Sequence, residues 1–129
     1  MSEETEWTAA EEAEPLETIL GELCEESGEV SGALVVSRDG LTMAAVGEGI
    51  DADRLGAMCS GLFASIDAAS GELGCGGGRE TIVRGEDGCA VLVAAGREAV
   101  LAIVGRPGAS PGMMLLDARY AVERIARAI

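Results

Sequence analysis

The sequence predicts one α/β (α+β) domain: a five-stranded antiparallel sheet in the order 2-1-5-4-3, strands counted along the chain, covered by three helices. Three observations predict it. The chain has 129 residues and is 48% hydrophobic, about one domain with enough apolar material for a core. Five short β-prone runs fall into a hairpin and a meander, each joined by tight-turn sequences. Helical apolar stripes precede, separate and follow these runs.

The elements follow in order. Pro15 suits the first turn of a helix, and Leu16, Ile19, Leu20 and Leu23 then recur at helical spacing, which predicts a helix over 15–27. Ser27-Gly28 ends it. The apolar run Ala33–Val36 is followed by Arg38-Asp39-Gly40 and then Leu41–Val46. Asp-Gly between two β-prone runs marks a hairpin, because glycine accepts the positive φ of a tight turn. Asp51 is a good N-cap for a second helix over 52–73, with Leu55, Met58, Cys59, Leu62, Ile66, Ala69 and Leu73 as its core stripe. After the glycine-rich 74–78 loop come three strands, Glu80–Arg84, Cys89–Ala94 and Ala99–Val104, linked by Glu86-Asp87-Gly88 and Gly96-Arg97-Glu98. A last helix runs from the Arg106–Gly112 loop to the end, with Leu115, Ala118, Val122, Ile125 and Ile129 as its stripe.

Strand composition orders the sheet. Strands 1, 4 and 5 are apolar on both faces and belong inside; strands 2 and 3 carry more polar residues and suit edges. A hairpin and a meander that keep 1, 4 and 5 inside give 2-1-5-4-3.

Charge divides the chain. Its net charge is −14, and residues 1–29 hold eleven acids and no arginine, leaving twelve acids against nine arginines in the remainder. Residues 1–13 read as a disordered acidic arm and 14–129 as the folded domain. The arm suits either steering toward a basic partner surface or solubilising the chain. So acidic a protein repels phosphate backbones, which excludes nucleic acid as a partner. No apolar run approaches the ~20 residues of a membrane span, and the N-terminus lacks a signal-peptide pattern. The expectation is a cytoplasmic protein with no membrane insertion.

Motifs with chemical potential are weak. Cys24, Cys59, Cys75 and Cys89 form no CxxC pair and histidine is missing, so neither a metal nor any other cofactor is expected. Gly108-Ala109-Ser110-Pro111-Gly112 fits G-x-S-x-G. No histidine exists to take the serine proton, and Pro111 removes an N–H where an oxyanion donor would lie. The Gly74–Gly78 loop follows a helix and opens a strand, the reverse of a phosphate-binding loop. Catalytic residues are therefore expected to be none. Cys59, on the core stripe, is expected to be buried and inert. Cys75 is the exposed thiol that a redox role would use.

The helix–hairpin–helix–meander–helix layout over about residues 15–129 resembles the Roadblock family, the dynein light-chain and bacterial GTPase-regulator group. The resemblance is carried by Gly32-Ala33-Leu34-Val35-Val36-Ser37-Arg38-Asp39-Gly40-Leu41, by Asp51-Ala52-Asp53-Arg54-Leu55-Gly56-Ala57-Met58, and by Leu92 and Leu101. It implies the first and last helices on one face of the sheet and the long central helix on the other. It implies a homodimer formed through the central helix and the edge strand before the meander, and a Ras-like small GTPase as partner.

Opposite the expected core stripe of the central helix stand Ala57, Gly61, Ala64 and Ala68, all small. They make either a close helix–helix seam or an ordinary alanine-rich face. The resemblance favours the seam and adds Thr81 and Val83 of the third strand. Arg54, Arg79 and Arg84 are candidate partner contacts, with nothing to select one as an arginine finger. The sequence therefore points to a non-catalytic interaction module that binds and modulates a small GTPase. A pure scaffold without effect on GTP turnover and a thiol redox protein using Cys75 are the alternatives.

Overall fold

A computed structural model describes residues 14–129; the acidic arm expected over 1–13 lies outside the described residues. The elements are α1 (Leu16–Glu26), β1 (Val30–Ser37), β2 (Thr42–Val46), α2 (Ala52–Glu72), β3 (Glu80–Arg84), β4 (Cys89–Ala95), β5 (Ala99–Gly105) and α3 (Pro111–Ala128). The five strands form one sheet in the order β2-β1-β5-β4-β3, with every neighbouring pair antiparallel.

Strand alternation sorts the core into two layers. On one face Ala33, Val35, Val91, Val93, Leu101 and Ile103 meet Ile19, Leu20 and Leu23 of α1 and Met114, Ala118 and Ile125 of α3. On the other, Leu34, Val36, Leu92, Val100 and Ala102 meet α2 through Phe63, Leu55 and Cys59. One long helix thus covers one face and two helices cover the other.

Turn chemistry holds the ends in register. Gly40 closes the β1–β2 hairpin at φ +93°, with its N–H donating to the Ser37 carbonyl at 3.0 Å. Asp51 caps α2 by accepting from the Arg54 N–H at 3.3 Å, and Ser110 caps α3 by accepting from the Met113 N–H at 3.3 Å. The serine of the G-x-S-x-G match is therefore a helix cap.

The phase of α2 differs from the sequence reading, whereas the expected α3 stripe packs on the core through Leu115, Ala118, Val122 and Ile125. Gly56, Ser60 and Phe63 are the buried residues of α2, whereas Met58, Leu62, Ala69 and Leu73 face solvent. The cause is a close approach to the β1–β2 hairpin. Thr42 Oγ1 donates to the Ala52 carbonyl at 2.6 Å and Ser60 Oγ donates to the Arg38 carbonyl at 2.8 Å. A Cβ on Gly56 would stand 1.9 Å from Thr42 Oγ1, so only glycine allows this contact. In α3, Met114 and Ala121 are buried beside Ala118 and Ile125, and Ile129 is exposed.

Exposed ion pairs tie α3 to its neighbours. Glu80 on β3 accepts from Nε and Nη2 of Arg119, both at 2.7 Å. Arg124 reaches Glu14 and Glu22 at 2.7 Å, and the paired carboxylates raise its pKa. The Arg119 guanidinium holds the Glu80 carboxyl below its ordinary value of 4.5. A carboxyl lowered in the fold stabilises fully above its unfolded pKa, and that contribution is lost as pH falls through the folded value. Glu80→Gln is therefore expected to be less stable than the parent at neutral pH, by under about 1 kcal/mol because the pair is solvent-screened. The two proteins should converge on acidification below that range, as urea unfolding at a series of pH values would read. A gap that persisted in acid would assign the loss to packing.

Candidate interaction surface

The solvent side of α2 is an apolar strip. Ala57, Gly61, Ala64 and Ala68 all lie exposed on it, and among the described residues, its own helix turns aside, nothing comes within 4 Å of a Cβ built on Gly61. Met58 and Leu62, read from sequence as core, lie exposed here too, at 58% and 43%. They add to the small residues the apolar bulk that a contact surface needs.

The sheet contributes a second open region. Val83, Ala90 and Val104 stand in one cross-strand row on the α2 face, where Val83 and Val104 are 42% and 38% exposed. Thr81 shares this face of β3 and is half-buried. Because β3 ends the sheet, its outer edge has no strand neighbour in the described chain, which leaves ladder donors and acceptors open to another chain.

The three candidate arginines are all exposed but not gathered. Arg54 lies in the first turn of α2, Arg79 just before β3, and Arg84 at the other end of that strand. Sequence reasoning missed a different grouping. Arg38, Arg79, Arg97 and Arg119 line one open cleft of roughly 970 Å³, where the loop before β3 meets the β4–β5 turn and α3. Only Arg79 is among the sequence candidates, because the other three are distant in sequence and only the hairpin and helix packing brings them together.

The thiols are dispersed. Cys75 is exposed in the glycine loop, and Cys59 is half-buried with burial pushing its thiol pKa up. That loop is tied back to α2 by the Gly78 N–H, which donates to Asp67 Oδ1 at 2.7 Å. Among the described residues, no cluster of three or more His, Cys, Asp or Glu side chains is placed to hold a metal, and no helix is long and apolar enough to cross a membrane.

The comparisons agree with this architecture. Residues 17–105 match the family model described as the Roadblock/LC7 domain. An uncharacterized protein of Methanocaldococcus jannaschii is 32% identical over 111 residues, which span 85% of this chain and 92% of that one. The gliding protein MglB from Thermus thermophilus is similar in structure with a TM-score of 0.79 at 26% identity, over 90% of this chain and 89% of its own. A Roadblock/LC7 domain from Streptomyces avermitilis gives 0.68 at 29% identity, over 86% and 98%. Strand order, helix placement and a family match across most of its length lead to one conclusion: the chain belongs to the Roadblock/LC7 family.

Proposed function

We propose that this chain is a cytoplasmic, non-catalytic homodimeric module that binds and modulates a Ras-like small GTPase. The observation that carries this reading is the exposed apolar strip of α2 together with the open β3 edge. Both are features of an interaction domain, and they coincide with the dimer surfaces that the family resemblance implies. The proposed dimer interface comprises Ala57, Gly61, Ala64, Ala68, Thr81 and Val83, and Met58 and Leu62 extend it.

Any GTP hydrolysis takes place in the partner's nucleotide site. This chain then acts by positioning the partner's own groups, since Arg54, Arg79 and Arg84 are spread over separate places. The test is nucleotide turnover by a Ras-like GTPase with and without the chain, alongside direct binding by calorimetry. A complex with altered turnover is the expected result, and the chain alone is expected to hydrolyse nothing. Alanine at any one of the three arginines should lower the stimulated rate less than about tenfold, whereas an arginine finger contributes about 10³–10⁵. Failure to bind any such GTPase overturns the reading, and binding without a change in turnover makes the protein a scaffold.

A further inference from the structure

We propose that the arginine-lined cleft is the receptor for a carboxylate-rich segment, and that this segment is the chain's own residues 1–13, docked in cis. The inference rests on neither the dimer nor the GTPase reading.

The cleft gathers four of the nine arginines of a chain whose net charge is −14. Arg119 is occupied by Glu80. Among the described residues, neither Arg79 nor Arg97 has a carboxylate within ion-pair distance. Arg38 is fixed in the wall: its guanidinium lies 5.1 Å from the centre of the Phe63 ring, its Nη2 donates to the Gly96 carbonyl at 3.5 Å, and its buried Nε has no partner. Of the acids in the cleft, Glu80 is taken by Arg119, which leaves Asp67, already accepting the Gly78 N–H, and Glu123 against three arginines. That is a site short of anions, and guanidinium groups pair well with carboxylates.

The acidic arm is the occupant that charge and connectivity select. Residues 1–13 carry five glutamates and no basic residue. The chain leaves the described domain at Glu14, which Arg124 holds on α3, the same helix that supplies Arg119, Val122 and Glu123 to the cleft. Thirteen residues reach at most about 45 Å when extended, against a radius of gyration of about 13 Å for a domain of this size. Tethering gives an effective concentration in the millimolar range, so individually weak surface ion pairs suffice. A free acidic ligand has no tether and meets the net negative charge of the whole chain.

Trp7 is the only tryptophan, so its fluorescence anisotropy in the full chain reports the arm alone. The measurement compares about 10 mM with about 1 M salt, where the Debye length falls from ~30 Å to ~3 Å. Anisotropy is expected to be high in low salt and to drop by roughly half in high salt, as exposed pairs are screened. Arg79→Glu/Arg97→Glu is expected to show the low value already in low salt. Arg54→Glu/Arg84→Glu, with the same charge change outside the cleft, is expected to behave as the parent. Far-UV circular dichroism checks that the variants are folded, and the salt titration of the parent needs no variant. Three results would each overturn the proposal. These are an anisotropy that ignores salt, equal loss in both double variants, and a low-salt signal that rises with protein concentration, which would assign docking to another copy.

Discussion

Phe63→Ala is expected to destabilise the domain by about 3–5 kcal/mol, the range for removing a fully buried aromatic side chain. Phe63 is the chain's one phenylalanine and is 0% exposed. It fills the layer between α2 and the sheet, against Leu34, Val36, Leu92, Val100 and Ala102. Its apolar neighbours are branched or small, so a rotamer change among them does not refill the vacated space. The ring also faces the Arg38 guanidinium, a contact worth roughly 0.5–2 kcal/mol. Against a total of about 5–15 kcal/mol for a domain, the loss is large. Thermal unfolding should show a midpoint roughly 10–20 °C lower. Phe63→Leu keeps most of the volume and should cost under about 1.5 kcal/mol. A melting temperature within a few degrees of the parent for Phe63→Ala would show that this layer is not a packed core.

Phe63 also marks where the sequence was hard to read. The strands were legible because short apolar, β-prone runs and Asp-Gly or Gly-centred turns fix them locally, and edge positions followed from the polar residues of β2 and β3. The phase of α2 was less legible. Reading α2 by side-chain size selects Leu55 and Cys59, which pack on the sheet, but also Met58 and Leu62, which face solvent. The helix is buried at Gly56 and Ser60, whose small size permits the approach to the β1–β2 hairpin. The bonds that lock this phase, Thr42 to the Ala52 carbonyl and Ser60 to the Arg38 carbonyl, join groups up to 22 residues apart. No apolar periodicity records them. The seam residues Ala57, Gly61, Ala64 and Ala68 were placed on the outer face from sequence, while Met58 and Leu62 became visible as surface only once the phase was known. The arginine cleft was illegible for the same reason: its four arginines come from four separate segments.

The two central glycines of α2 separate the fold from the proposed assembly. Gly61→Leu is expected to convert a dimer into a monomer, or a mixture, while leaving the domain folded. Leucine is the better helix former by nearly 1 kcal/mol, and among the described residues nothing outside the neighbouring helix turns lies within 4 Å of a Cβ at this position. The monomer should therefore be as stable as before or slightly more so. In the dimer, however, a leucine would stand where two smooth helix faces meet, flanked by Ala57, Ala64 and Ala68, and would force them apart. Gly56→Leu has the same gain in helix propensity, yet its Cβ would meet Thr42 Oγ1 at 1.9 Å. That variant should lose stability whatever its oligomeric state, by at least the ~1–3 kcal/mol that overpacking costs. Light scattering and thermal unfolding on both variants give the comparison. A Gly61→Leu protein that remains as tightly dimeric as the parent would move the seam off α2, leaving the β3 edge at Thr81–Val83 as the surface to test.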